Sequence, residues 1–310
     1  MKKIHWPEGK SFAFTIIDDT DNSVVDNIKP IYEFLSSLKI KSTKTVWVYP
    51  PRDVFKGQCL LDTDYLEFIK SLQSTGFEIE LHNVGSGAFS REEILIGFEK
   101  FKELLGRYPK MHINHSRNPD NIYWGYKRFV APLSWLSNMF FSKRKFEGEE
   151  ENSAHFWGDV VKERIKYIRN HVFNGSNTQK YDNIMPYKVK SKKYSNYWFS
   201  SSDGHTVNEF NYFLSKKNID ELETSGGYCI IYTHFASGFL NEDGTLNEDF
   251  KKSLTYLASR NGWFVPATQL LDHILEQRSK NKETASYFDL LRLDILWVFD
   301  RIRKKMKFGN

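Results

Sequence analysis

A chain of 310 residues is long enough for one large α/β domain or two smaller ones, and a content of 40% hydrophobic and 27% charged residues excludes a disordered or fibrous polypeptide. The formal charge of +5 belongs to the C-terminus: RIRKKMKFGN carries Arg301, Arg303, Lys304, Lys305 and Lys307 with no acid, so the rest balances to zero, and without an interleaved basic-aromatic stripe no nucleic acid is expected as a partner. Cys59 and Cys229 form no CxxC, which excludes a disulfide framework and a thiolate zinc site, while the lack of a signal-type apolar segment or a run of about eighteen apolar residues leads us to expect a cytoplasmic protein.

The first predicted element is a buried strand over Phe12–Ile17, which stops on the adjacent acids Asp18 and Asp19. In a parallel sheet or barrel that end is where ligands bind. Alternation sends Phe12, Phe14 and Ile16 toward helices and leaves Asp19 in line with the small inner residues Ala13 and Thr15. The competing reading is that Asp18, Thr20, Asp21 and Ser23 cap the next helix. Helical spacing follows over Val24–Leu38, with Pro30 able to kink it, then a strand over Thr43–Tyr49 and a helix over Asp62–Ser74 ended by Gly76. This is a strand–helix alternation of the α/β class.

The third strand, Phe77–His82, places Phe77, Ile79 and Leu81 on one side and Glu78, Glu80 and His82 on the other, so its polar face needs a site or a polar lumen. A helix starts at Ser90, where Ser90, Glu92 and Glu93 give an N-cap signature. The segment MHINHSRNPDNIYWG then brings His112 and His115 to the end of the next short strand. Between Asn121 and Trp157 the regular spacing loosens into a long connection rich in rings (Tyr123, Trp124, Tyr126, Trp135, Phe140, Phe141), suited to a lid, a sugar-stacking wall or plain helix packing. A helix over Val160–Ile168 and a loop through HVFNGSNTQKYDN are expected next. Late strands over Tyr197–Ser202 and Tyr228–Thr233 deliver Asp203 with His205, and His234, to the same end as Asp18 and Asp19; Asp203 either orients a catalytic histidine or caps the helix Val207–Leu214. A helix over Asn247–Ser259 and the strand WFVPA complete the barrel. Beyond it, QRSKNKE reads as a linker, and Phe288, Leu291, Ile295, Val298, Ile302 and Met306 recur at helical spacing ahead of the basic cluster; that helix either docks on its own domain or lies on a membrane surface or partner.

IIDDT, then GFEIELHN before the SREEI helix, then YCIIYTHF and GWFVPATQLL occur in an order that resembles the polysaccharide deacetylase family of metal-dependent carbohydrate esterases. The resemblance, running from about Phe12 to Leu271, implies a distorted (β/α)7 barrel over residues 1–276, to which the chain's own spacing adds an aromatic-rich helical insertion at about 121–160 and a linker with an amphipathic basic helix over 277–310. It implies hydrolysis of an N-acyl group from a sugar, with Asp18 as base, Asp19 and His82 as ligands of a divalent metal, zinc being the expected ion, and His234 as general acid. The family's second histidine, four residues on, is Ser86 here, a poor ligand. His115 is the expected replacement, ahead of His112 and Asp21. Arg117, Asn118, Trp124 and Asp203 are the expected substrate contacts. The expected substrate is a nucleotide-linked or lipid-linked N-acylated sugar used for surface polysaccharide, with the C-terminal helix touching the membrane. A non-catalytic glycan-binding barrel is the alternative that Ser86 favours, and a metal-independent glycosidase using Asp18 is a third.

Overall fold

The computed structural model describes residues 4–141, 145–278 and 283–308, with the side chains of Phe140, Phe141 and Phe308 left aside. The chain folds into parallel strands and helices in the order β1 (Phe12–Asp18), α1 (Val25–Ser37), β2 (Thr43–Val46), α2 (Thr63–Ser74), β3 (Glu78–Leu81), α3 (Arg91–Leu105) and β4 (Met111–His112). After them come α4 (Leu133–Phe141), α5 (Gly158–Arg164), β5 (Tyr167–Phe173), α6 (Thr178–Tyr181), β6 (Tyr197–Asp203), α7 (Val207–Phe213), α8 (Lys216–Ser225) and β7 (Tyr228–Thr233). The last elements are α9 (Glu248–Ala258), β8 (Gly262–Phe264), α10 (Ala267–Glu276) and α11 (Tyr287–Phe308).

Strands β1 to β7 close into a barrel, because β1 pairs with β7 along its whole length and with β2 at Ile17–Thr43 and Asp18–Lys44. The eighth strand lies beside the opposite half of that same edge, Phe12–Phe14 against Gly262–Phe264. This is the (β/α)7 architecture expected from the order of the motifs. Every residue of β1 is buried, as its apolar run requires, and α1 covers it with Ile28, Ile31, Tyr32 and Leu35 while running on through Pro30. The capping box Ser90–Glu93 starts α3, and Gly106, left-handed at φ +78°, ends it. Most of the large rings fill the core, Trp47, Trp157 and Trp198 among them.

Two expectations are corrected. Residues Tyr167–Phe173 form β5 rather than the end of a helix and a loop, since the polar members of YIRNHVF hide a strand whose side chains are nearly all buried. The predicted apolar stripe of α11 is not its docking face. The helix lies across β5 through Leu290, Leu293, Asp294, Asp300 and Lys304, while Phe288 and Met306 are 78% and 83% exposed. Part of the expected linker, residues 279–282, lies outside the described residues.

Candidate metal centre

At the C-terminal ends of the strands, the loop after β1 turns Asp21 back over the barrel mouth. Its Oδ1 lies 3.3 Å from His82 Nε2 and 3.4 Å from His115 Nε2, and its Oδ2 lies 3.4 Å from His234 Nε2. Asp21, His82 and His115 each offer one ligand atom, all within 4.8 Å of one another, a group that could hold a metal ion.

The three imidazoles are held in one sense. His82 Nδ1 meets the Ile113 carbonyl at 3.0 Å, His115 Nδ1 the Asn118 Oδ1 at 3.1 Å, and His234 Nδ1 the His205 carbonyl at 3.4 Å. Because each partner is an acceptor, Nδ1 carries a proton in each ring, which leaves Nε2 of His82 and His115 free to turn a lone pair toward Asp21. Converging lone pairs and a carboxylate repel unless a cation sits among them, and buried His115 Nε2 and Asp21 Oδ1 have no hydrogen-bond partner of their own. This donor set therefore fits a divalent metal ion, with zinc well suited to two imidazoles and a carboxylate. Burial by itself would raise the Asp21 carboxyl, but the surrounding imidazoles of His115, His234 and His82 outweigh it and hold the group well below the ordinary range.

Asn83, left-handed at φ +51°, directs its side chain to both flanks of the site. Its Oδ1 accepts from the His115 amide at 2.7 Å, and its Nδ2 donates to Asp120 Oδ2 at 2.7 Å. Asn121 also donates to the His115 carbonyl, so the loop after β4 is fixed from two sides. Ser86 turns away to donate to Asp53 Oδ1 at 2.7 Å, and His115, from the loop after β4, lies beside His82 and Asp21.

The acid pair divides differently from the expectation. Asp18 is wholly buried between β1 and α1, where Lys44 Nζ lies 2.8 Å from Oδ2, the Tyr32 hydroxyl donates to Oδ2 at 3.0 Å and the Phe235 amide donates to Oδ1 at 2.9 Å. Lys44 and Tyr32 thus draw Asp18 into the wall between β1 and α1, a placement that does not fit the expected role of base. Asp19, expected as a metal ligand, instead receives Arg169 of β5, Nη2 to Oδ2 at 2.7 Å and Nη1 to Oδ1 at 3.3 Å. Since β1 and β5 are not neighbours in the sheet, that pair crosses the lumen, in agreement with the predicted inward direction of Asp19. Burial pushes the Asp19 carboxyl up, while Arg169, His82 and His234 pull it down further.

Among the expected substrate contacts, Asn118 is buried and positions His115, and Arg117 is exposed beside the site over the Phe55 ring, whose centroid lies 4.5 Å from that of His115. Trp124 stacks on Arg128 instead, in the insertion. Asp203 neither caps a helix nor touches a histidine: Arg301 and Lys304 of α11 take it at 2.7 and 2.9 Å, while Thr206 caps α7. His112 is buried with Asn114, and burial depresses it to about 3. Sequence reasoning missed Arg169, Lys44 and Asn83; the signal available for Asn83 was its place one residue after His82.

No model of a known protein family matches the chain, and no curated protein matches it. Several solved structures share its fold, among them two that align over most of both chains. Puue allantoinase superposes with a TM-score of 0.55 at 12% identity, and a probable polysaccharide deacetylase from Pseudomonas aeruginosa PAO1 does so with a TM-score of 0.54 at 11% identity. Each comparison covers 90% of this chain and 95% of the other.

Proposed function

We propose that the chain is a metal-dependent amide hydrolase that removes the acyl group from an N-acylated sugar in surface polysaccharide synthesis. The observation that carries this reading is the convergence of Asp21, His82 and His115 with buried atoms left unpartnered, beside the separate acid Asp19 and opposite His234. The names of the two fold neighbours, an allantoinase and a polysaccharide deacetylase, agree with it. His115, near Asp21 and His82, would take the place of the ligand that Ser86 cannot be, which supports the catalytic reading over a non-catalytic barrel.

Asp21, His82 and His115 would hold the ion. When bound, such an ion lowers the pKa of its water to about 7 and polarises a carbonyl. Asp19 is kept ionised and oriented by Arg169, so it is placed to accept the water's proton. His234 lies on the other side of Asp21 with Nδ1 anchored at the His205 carbonyl; against burial, the Asp21 carboxylate raises its pKa, so it would carry a second proton on Nε2 to give to the departing amine. His205, exposed and packed 4.5 Å from the His234 ring, and Phe55 with Arg117 form the rim against which a sugar would rest.

Metal content of the purified protein and acetate release from N-acetylated sugars test the reading. About one divalent ion per chain is expected, lost in His82→Ala and His115→Ala together with acetate release. A parent protein that takes up no ion on loading with zinc, cobalt or manganese would refute it.

A further inference from the structure

Outside the barrel mouth a groove of about 790 Å³ runs between the turn Gly125–Arg128, α4 and α11, a volume within the roughly 300–1,000 Å³ of small-molecule sites. Trp124, Phe129, Leu136, Trp297, Val298 and Ile302 line it. Val298 and Ile302 belong to the apolar stripe of α11 that the barrel leaves uncovered. Exposed Trp135 and Met139 on α4 and Phe299 on α11 extend the apolar surface on the outer sides of the same helices. Soluble proteins seldom leave contiguous apolar faces without a use.

Three of the lining residues, Arg128, Trp297 and Arg301, also bring donors without acceptors. Arg128 Nε and Nη2, Trp297 Nε1 and Arg301 Nε are buried and have no hydrogen-bond partner. The Arg128 guanidinium carbon lies 3.7 Å from the Trp124 ring centroid, so the ring covers the cation without satisfying its N–H groups. Orphaned buried donors are costly; Arg301 meets Asp203 and Asp300 through its other nitrogens, while the Asp294 charge acts on Arg128 without a hydrogen bond to its open N–H groups, so an anion is the partner best matched to them. Burial and the nearby charges of Arg169 and Arg301 push Arg128 down to about 9, which also marks this cation as a neighbour of the one that holds Asp19.

We infer that the groove binds an anionic amphiphile, a lipid phosphate whose chain lies along Leu136, Val298 and Ile302 and whose phosphate meets Arg128, Trp297 and Arg301. That this lipid carries the sugar to be deacylated rests on the function proposed above. It selects a lipid-linked over a nucleotide-linked substrate, because a nucleotide has no long apolar chain to cover the groove. Trp124 and Trp297 supply the reporter: farnesyl phosphate, farnesol and inorganic phosphate are titrated against the full chain by intrinsic fluorescence. Farnesyl phosphate is expected to bind at least about tenfold more tightly than farnesol, a difference that Arg128→Gln removes and high salt reduces, as for a charge-assisted contact. Leu136→Glu should abolish binding of both lipids. Equal affinity for farnesol and farnesyl phosphate in the parent, or an unchanged preference in folded Arg128→Gln, overturns the inference; if that variant does not fold, the parent's own preference and its salt dependence decide. His82→Ala, with the groove intact, should bind farnesyl phosphate like the parent. Lipid binding without metal uptake thus sinks only the hydrolase reading, and acetate release without lipid binding sinks only the groove.

Discussion

Asp21 was the least conspicuous acid of the IIDDTD run and has the most central position, with three histidines within 3.4 Å of its carboxylate. His82, His115 and His234 were legible because each follows the apolar run of a strand, and strand ends in a barrel face one mouth. The division of labour among the acids was not legible, because one residue of offset decides whether a carboxylate faces the helices or the lumen. Asn83→Ala, which removes the grip on the His115 backbone, should weaken metal affinity by roughly 10- to 100-fold without removing a ligand, as is usual for such supporting groups; competition with a chelator measures it. Arg169→Met should have two effects. Leaving Asp19 buried and unpaired costs about 3–5 kcal/mol in a denaturant titration. The Asp19 carboxyl, now held low, should also rise, moving the acid limb of the pH–rate profile to higher pH; an unmoved limb would exclude Asp19 as the group that must be ionised.

Elements with a clean apolar period were readable, and their ends fell within a few residues of the structure: β1, β3 and β7 by their runs, α3 by its capping box. Strand β5 was not, because its inward positions carry Arg169 and a barrel with a working lumen spends polar residues on strands. Helix α11 deceived in the opposite sense. Its docking face is built from charges, Asp294 against His171 at 2.9 Å and Arg301 and Lys304 against Asp203, so the conspicuous apolar stripe marks the side that does not dock. Burial would raise Asp203, but Arg301 and Lys304 hold it below the ordinary range. Replacing both cations by Met should therefore strand a buried carboxylate and destabilise the fold by about 3 kcal/mol or more. Adding Asp203→Asn should restore part of that loss in chemical denaturation; no recovery would show that α11 is held by other contacts.

Across the whole molecule the barrel was legible from the order of its motifs, whereas the closure of that barrel depends on pairings that no local pattern carries. Its interior polar groups also give the fold a pH dependence of its own. Glu80, fully buried, accepts the Lys110 and Met111 amides at 2.7 Å each and lies 2.9 Å from Arg107 Nη2, yet burial, with the charge of Glu78 added, outweighs these partners and pushes it up to about 8. A carboxyl raised in the folded state favours folding while it keeps its proton, so its contribution is lost as pH climbs from about 4.5 to about 8. Urea titrations of Glu80→Gln and the parent at pH 5 and pH 8 should show the variant gaining on the parent by more than about 1 kcal/mol at the higher pH; a constant difference would contradict the shift. The shared edge of β1 has a different consequence, one in time. As the chain leaves the ribosome, FAFTII emerges some two hundred residues ahead of its partners on one side and along half of the other, residues 228–233 and 262–264. Until nearly the last of the barrel has been synthesised, a sticky ribbon waits half-bare, so nascent chains halted before β7 are the species most in need of a chaperone.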